Sequence, residues 1–201
     1  MKYFAHCINN IDQIKDIDLD TGVEIDIRDY MGNLVLGHDP LQNNYQDIVV
    51  FLKNLKGRSV IANIKSERLE LKFYDLLSMF SPESEYFFLD SSLSMIAKYG
   101  KCYNFASRFS EFESIITSEN LIEESLVKWI WVDTFNFMPI NIENVNVFNK
   151  LKAKKCLTSP DLLGREYDIE DYAKKIISLG IKFDAICCKK YNISKWKKLL
   201  N

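Results

Sequence analysis

Gly22-Val23-Glu24-Ile25-Asp26-Ile27-Arg28, continued by Leu34-Val35-Leu36-Gly37-His38-Asp39-Pro40, is the stretch that decides how this 201-residue chain is read. Its first half alternates with period two, so Val23, Ile25 and Ile27 share one face of a strand and Glu24, Asp26 and Arg28 the other. Tyr30-Met31-Gly32-Asn33 supplies a turn, Leu34–Leu36 returns towards His38, and Pro40 stops the run. The only other histidine is His6, in the apolar run Tyr3-Phe4-Ala5-His6-Cys7. Two histidines and an acidic pair thus gather at strand ends within the first forty residues.

Working outward, short apolar runs alternate with segments of helical period. Strands are expected near residues 3–7, 23–29, 59–65, 86–89, 103–110, 127–133, 155–159 and 183–188. Helical spacing follows at Ile48–Leu55, Leu69–Phe80, Leu93–Ile96 closed by Gly100, Val145–Leu151, Ile169–Leu179 capped by Gly180, and Ile193–Leu200, while Phe112–Leu121 is irregular or helical. In Ile169–Leu179 the expected buried positions are Tyr172, Ile176, Ile177 and Leu179. Strands alternating with helices require parallel pairing through crossovers. Eight such units predict a compact (β/α)8 TIM barrel with short loops, spanning residues 1–201 as one domain; a doubly wound open sheet is the second choice. Polar residues also end nearly every apolar run: His6, Asp26, Arg28, Lys65, Asp90, Arg108, Asp133, Ser159, Asp161 and Lys189. In a barrel those ends converge on one rim, where active sites lie.

Composition narrows the classes. With 47% hydrophobic and 27% charged residues the chain is globular, and a net charge of -2 gives no general attraction to nucleic acid or an acidic bilayer. The lysines at 189, 190, 195, 197 and 198 read as the solvated face of a last helix. No run approaches the eighteen apolar residues that would span a bilayer, so no membrane insertion is expected. No basic-then-apolar leader precedes Tyr3, and Cys7, Cys102, Cys156, Cys187 and Cys188 lack metal-ligand spacing; both features fit reduced thiols in the cytoplasm.

Cleaving a phosphodiester needs a base, an acid and positive charge on the phosphoryl oxygens. Histidine suits the first two roles, and a divalent ion held by carboxylates the third. Glu24 and Asp26 can reach one hard cation, and Lys65 and Arg28 add fixed positive charge. A lone histidine is more often structural, but two at the ends of successive strand units around an acidic pair favour catalysis. Trp129 and Trp131 share a face with Asp133, where they either line the mouth and hold an apolar or sugar group or simply fill the barrel. Arg108 joins them as a substrate contact, whereas Arg165 reads first as a surface ion pair.

Ala5-His6, Gly22-Val23-Glu24-Ile25-Asp26-Ile27 and His38-Asp39-Pro40 resemble the glycerophosphodiester phosphodiesterase family, within the phosphatidylinositol phospholipase C-like superfamily. His6-Cys7-Ile8-Asn9 is also similar to the His-x-Val-Asn start of sphingomyelinase D-type phospholipases, and Asn63-Ile64-Lys65 aligns with an acidic-x-Lys strand of both groups. The resemblance implies a metal-dependent hydrolase of a small glycerol-, sugar- or polyol-linked phosphodiester. His6 and His38 are then the acid/base pair, Glu24, Asp26 and Asn63 the ligands of Mg2+ or Ca2+, and Lys65 a phosphate contact. Two departures stand out. Asn63 replaces an acidic ligand, for which Asp90 or Asp133 is a candidate substitute, and Cys7-Ile8 replaces the glycine or arginine that usually follows the first histidine. The alternatives are a phospholipase D-like lyase forming a cyclic phosphate and a non-catalytic barrel that binds a phosphorylated ligand.

Overall fold

In a computed structural model, which describes residues 1–42 and 44–200, the chain forms a ring of parallel strands wrapped by helices. In chain order the elements are β1 (Lys2–Ala5), α1 (Ile11–Ile14), β2 (Gly22–Tyr30), β3 (Asn33–Leu36), β4 (Gln46–Asp47), α2 (Ile48–Leu52), β5 (Val60–Ile64), α3 (Glu70–Phe80) and β6 (Tyr86–Leu89). There follow α4 (Leu93–Tyr99), β7 (Ala106–Phe109), α5 (Ile115–Glu123), β8 (Trp129–Val132), α6 (Val145–Lys150), β9 (Lys154–Thr158), α7 (Ile169–Leu179), β10 (Ala185–Cys188) and α8 (Ile193–Leu200). Parallel pairing runs β6-β5-β2-β1-β10-β9-β8-β7. An isolated parallel bridge, Phe88 to Phe105, and the bond from Phe88 N–H to the Asn104 carbonyl (2.7 Å) close β6 onto β7. The result is the expected (β/α)8 barrel. β3 and β4 form an antiparallel flap on the distal half of β2 and lie outside the ring.

Two apolar layers follow from the period-two pattern. Val23, Ile25 and Ile27 point outward and are wholly buried under the helices. Inside, Phe4, Ile61, Phe87, Leu89, Ala106, Trp129, Trp131, Cys156, Ala185 and Cys187 fill the lumen, with Trp129 stacked on Phe87 at 4.4 Å. Gly22 occupies an inward position beside the Phe4 ring, where an added Cβ would lie 2.4 Å from ring carbons. The missing side chain makes room for the phenyl group beneath Glu24.

Local signals set the helix ends. Asn10 Oδ1 accepts from Asp12 N–H (2.8 Å) while Gln13 Oε1 accepts from Asn10 N–H (2.9 Å), a capping box that starts α1. Asp47 Oδ1 takes the Val50 N–H at 2.9 Å to start α2, and Gly180 at φ 60 ends α7. Ile177 departs from expectation: it is 64% exposed. The buried stripe of α7 is Ile169, Tyr172, Ala173 and Ile176, and the next residue is turned about 100° away by the 3.6-residue period. The segment read as irregular or helical resolves into helix α5, started by Ser114, whose hydroxyl accepts the Ile116 N–H at 3.2 Å.

Candidate active site

The inward positions change character at the C-terminal end of the barrel. Continuing the inward series of each strand, His6 follows Phe4, Glu24 and Asp26 follow Gly22, Asn63 and Lys65 follow Ile61, Arg108 follows Ala106, and Asp133 follows Trp131. Glu24 and Asp26 are 0% and 1% exposed, and Asn63 7%, so a polar cluster is sunk into the mouth of an otherwise apolar lumen. Burial of this kind is costly unless each group finds a partner.

The partners are specific. Glu24 Oε1 accepts from Asn63 Nδ2 (2.9 Å), and Glu24 Oε2 from the Cys7 backbone N–H (2.7 Å). Cys7 reaches that position because the chain leaves β1 with φ 57, an uncommon conformation for a residue with a Cβ. Asn9 grips Asp26 twice: its Nδ2 donates to Asp26 Oδ2 at 2.6 Å, and its Oδ1 accepts from the Asp26 N–H at 2.8 Å. Lys65 Nζ lies 3.4 Å from Asp26 Oδ1 and 3.9 Å from Asp90 Oδ2. His6 Nε2 stands 3.7 Å from Glu24 Oε2.

The opposite arc of the rim is organised by Arg108. Its guanidinium pairs with Asp90 and Asp133, and its Nε lies 3.5 Å from Glu113 Oε2. Trp131 Nε1 donates to the same Asp133 Oδ2 at 3.2 Å. Asp90 and Asp133, the substitutes considered for an acidic residue at 63, are therefore engaged by Arg108. Trp131 is 4% exposed and belongs to the lumen filling, with its indole N–H turned to the rim. Arg28 is turned away from the acidic pair: it donates to the His38 carbonyl at 2.8 Å and, more weakly, to that of Gly37 at 3.5 Å. It thus fixes the loop that carries the second histidine. Arg165 ties the β9 loop to α7 and the β8 loop, through Asp168 (3.0 Å), the Tyr172 hydroxyl (3.2 Å) and the Thr134 carbonyl.

The two histidines differ in setting. Burial pushes the His6 pKa down, Lys65 and His38 act in the same direction, and Asp26 and Asp161 oppose them. His6 is therefore neutral near pH 7. His38 lies on the exposed flap side of the mouth, with Nδ1 2.8 Å from Asp39 Oδ1, a contact that fixes its ring and leaves Nε2 free. Desolvation, and then the neighbouring Asp26, raise Glu24 to about 8 despite the donors from Asn63 and Cys7. The Cys7 thiol is pushed up to about 12, by burial first and then by the same two carboxylates, so it is an unreactive thiol.

Among the described residues, no three His, Cys, Asp or Glu side chains form a ready-made metal cluster. The donor set does fit one hard cation. Asp26 Oδ1 and Asn63 Oδ1 are buried without a hydrogen bond, and Glu24 is strained towards protonation beside Asp26. A cation would satisfy all three groups at once.

Sequence reasoning assigned no role to Asn9 or to Asp161. Asp161 is fully buried, and its Oδ2 accepts from the Lys189 N–H (3.1 Å) and Asn192 Nδ2 (2.7 Å), joining the loops after β9 and β10. The polar residue three places beyond His6 and the acid that follows Pro160 were the available signals.

A (β/α)8 barrel whose rim sets His6 and Lys65 beside a buried acidic pair defines the structural class. No protein-family model and no curated protein matches the chain. Solved structures do. One is described as a glycerophosphoryl diester phosphodiesterase from Agrobacterium tumefaciens strain C58, with TM-score 0.62, 10% identity and 98% of each chain covered. Another is a glycerophosphodiester phosphodiesterase from Thermotoga maritima, with TM-score 0.57, 15% identity and 92% of each chain covered. At these identities the likeness is one of fold, and it extends over nearly the whole chain.

Proposed function

We propose that the protein is a phosphodiesterase of the glycerophosphodiester phosphodiesterase type, a single barrel domain that hydrolyses a small glycerol-, sugar- or polyol-linked diester. The observation that carries it is the buried pair Glu24 and Asp26 at the mouth of the barrel, with His6 Nε2 3.7 Å from Glu24 Oε2 and Lys65 Nζ 3.4 Å from Asp26 Oδ1. The barrel neighbours named above support the same class of reaction.

Glu24, Asp26 and Asn63 would hold Mg2+ or Ca2+, which supplies charge neutralisation of the phosphoryl group when bound. The mouth itself argues for such a cation. Among the described residues, the carboxylates of Asp26, Asp90, Glu113 and Asp133, with Glu24 beside them, are met by Lys65 and Arg108, an excess of acidic groups that disfavours an anionic diester. Lys65, 19% exposed along its side chain, contacts the phosphate; Arg108 keeps Asp90 and Asp133 from competing with it. One of the two imidazoles, His6 or the Asp39-oriented His38, takes a proton from the attacking water, and the other gives one to the leaving oxygen. Attack by a substrate hydroxyl instead of water would release a cyclic phosphate, which phosphorus NMR of the product distinguishes. The five free thiols fit a cytoplasmic enzyme, and among the described residues no helix is long and apolar enough to cross a membrane.

Turnover of bis-p-nitrophenyl phosphate with a divalent ion tests the mechanism. His6→Ala and His38→Ala should each lower the rate by about 10²–10⁴-fold. Full activity in either variant overturns the two-histidine assignment. Asn63, which closes onto Glu24 rather than adding a third charge, favours as second reading a non-catalytic barrel binding a phosphorylated ligand. That reading expects no turnover in the wild type and a higher melting temperature with ligand.

A further inference from the structure

The chain passes from β3 to His38 through Gly37, and the way this exposed segment is held is unusual for a loop. Gly37 N–H donates to the Asp26 carbonyl at 3.0 Å, so the segment starts from the backbone of the acidic pair itself. Arg28, two residues beyond Asp26 on β2, donates to the His38 carbonyl at 2.8 Å and more weakly to that of Gly37 at 3.5 Å. Tyr45, immediately before β4, supplies the next contact: its hydroxyl donates to the Asp39 carbonyl and accepts from the Gln42 N–H, each at 3.2 Å. Its ring lies against Gly37, where an added Cβ would stand 2.6 Å from two ring carbons, and 5.0 Å from the Tyr30 ring at the end of β2. The carbonyls of Gly37, His38 and Asp39 are thus all taken by side chains, although water ordinarily serves such groups in a surface loop.

We propose that Tyr45 and Arg28 are positioning residues for His38, fixing the backbone from which its imidazole is carried at the mouth. The proposal rests on the phosphodiesterase reading for what His38 does, and not for how it is held. The His38 side chain is 55% exposed and its Nδ1 is met by Asp39, itself 73% exposed, so that contact alone is a weak restraint. A reacting group carried on so open a side chain keeps its place only when its backbone is fixed by surrounding contacts. The Tyr45 hydroxyl serves the loop and not the sheet, because both its partners follow His38, whereas β4 is held by its own pairing with Val35 and Leu36. Arg28 spends its guanidinium in the same way, on the two carbonyls that flank the start of the segment.

Tyr45→Phe keeps the ring on Gly37 and removes only the hydroxyl, and Arg28→Met keeps the stem and removes the donors. With bis-p-nitrophenyl phosphate and a divalent ion, each should lower kcat about tenfold and leave KM within about twofold of wild type, and Arg28→Lys should recover part of the loss. In a His38→Ala background neither change should lower the residual rate further, because residues that act through His38 then have nothing to position. Amide exchange at residues 37–42 should be about tenfold faster in Tyr45→Phe, with β2 and β5 protected as in the wild type. Wild-type kcat in both variants, a loss confined to KM, or full additivity with His38→Ala overturns the proposal. Should a variant melt lower, additivity measured below its melting range still decides. A wild type that turns over no diester removes the phosphodiesterase reading, and amide exchange then decides alone: faster exchange at residues 37–42 upholds the tether, and unchanged exchange in both variants overturns it.

Discussion

Asn9 shows what a single side chain contributes at this mouth. Its amide engages both Asp26 Oδ2 and the Asp26 N–H, and so leaves Oδ1, without a hydrogen bond, 3.4 Å from Lys65 Nζ. Asn9→Ala should cost about 1–3 kcal/mol of stability by leaving that pair unmet, read as a lower denaturation midpoint in urea. Asn63→Asp should act in opposite directions with and without metal. A third buried carboxyl group lowers the melting temperature in chelator, whereas added charge on the donor set raises Mg2+ or Ca2+ affinity by about tenfold. Calorimetric titration with either ion checks the second half, and unchanged affinity would remove residue 63 from the ligand set. His6, Glu24, Asp26, Lys65, Arg108 and Asp133 were legible from the sequence because inward positions recur every two residues and these end their apolar runs. Asn9 was marked only as the end of His6-Cys7-Ile8-Asn9; its pairing with Asp26 was not legible, because the partner lies 17 positions away. The turn of Arg28 towards the His38 carbonyl was hidden for the same reason.

At the level of elements, the helices and strands lie close to the segments that periodicity marks, and the errors are instructive. Most expected strands overran their ends, as where residues 103–110 became β7 at Ala106–Phe109, because apolar loop residues continue the pattern after pairing stops. Ile177 looked buried because it is apolar and next to a buried position, yet its place on the helical wheel leaves it in water. Gly22 is the position where an element depends on an absent side chain. Gly22→Ala would press on the Phe4 ring and on the Ser59 carbonyl, 2.9 Å from the new carbon, at the point where β1, β2 and β5 meet. It should destabilise the protein by about 1–3 kcal/mol and disturb the acidic pair above it; a wild-type unfolding curve for this variant would contradict the packing described.

For the whole molecule, strand count favoured a closed barrel over an open sheet, but closure itself is a contact between strands distant from both termini, and no sequence period reports it. The ring is uneven. Val23–Ile27 pair with Val60–Ile64 along the full length of β5, whereas β6 and β7 meet at one bridge. Hydrogen exchange followed by mass spectrometry should therefore find the β7 peptide exchanging well before those of β2 and β5. Equal protection around the ring would show that helices, rather than strand pairing, hold the seam. The filled lumen has a separate consequence. Phe4, Phe87 and Trp129 block the barrel below the acidic pair, so there is no back door. Whatever enters must depart through the same opening. If the proposed function holds, both fragments of a cleaved diester share that exit, and the fragment held nearer the floor would compete with the next substrate molecule, so the product is expected to inhibit turnover.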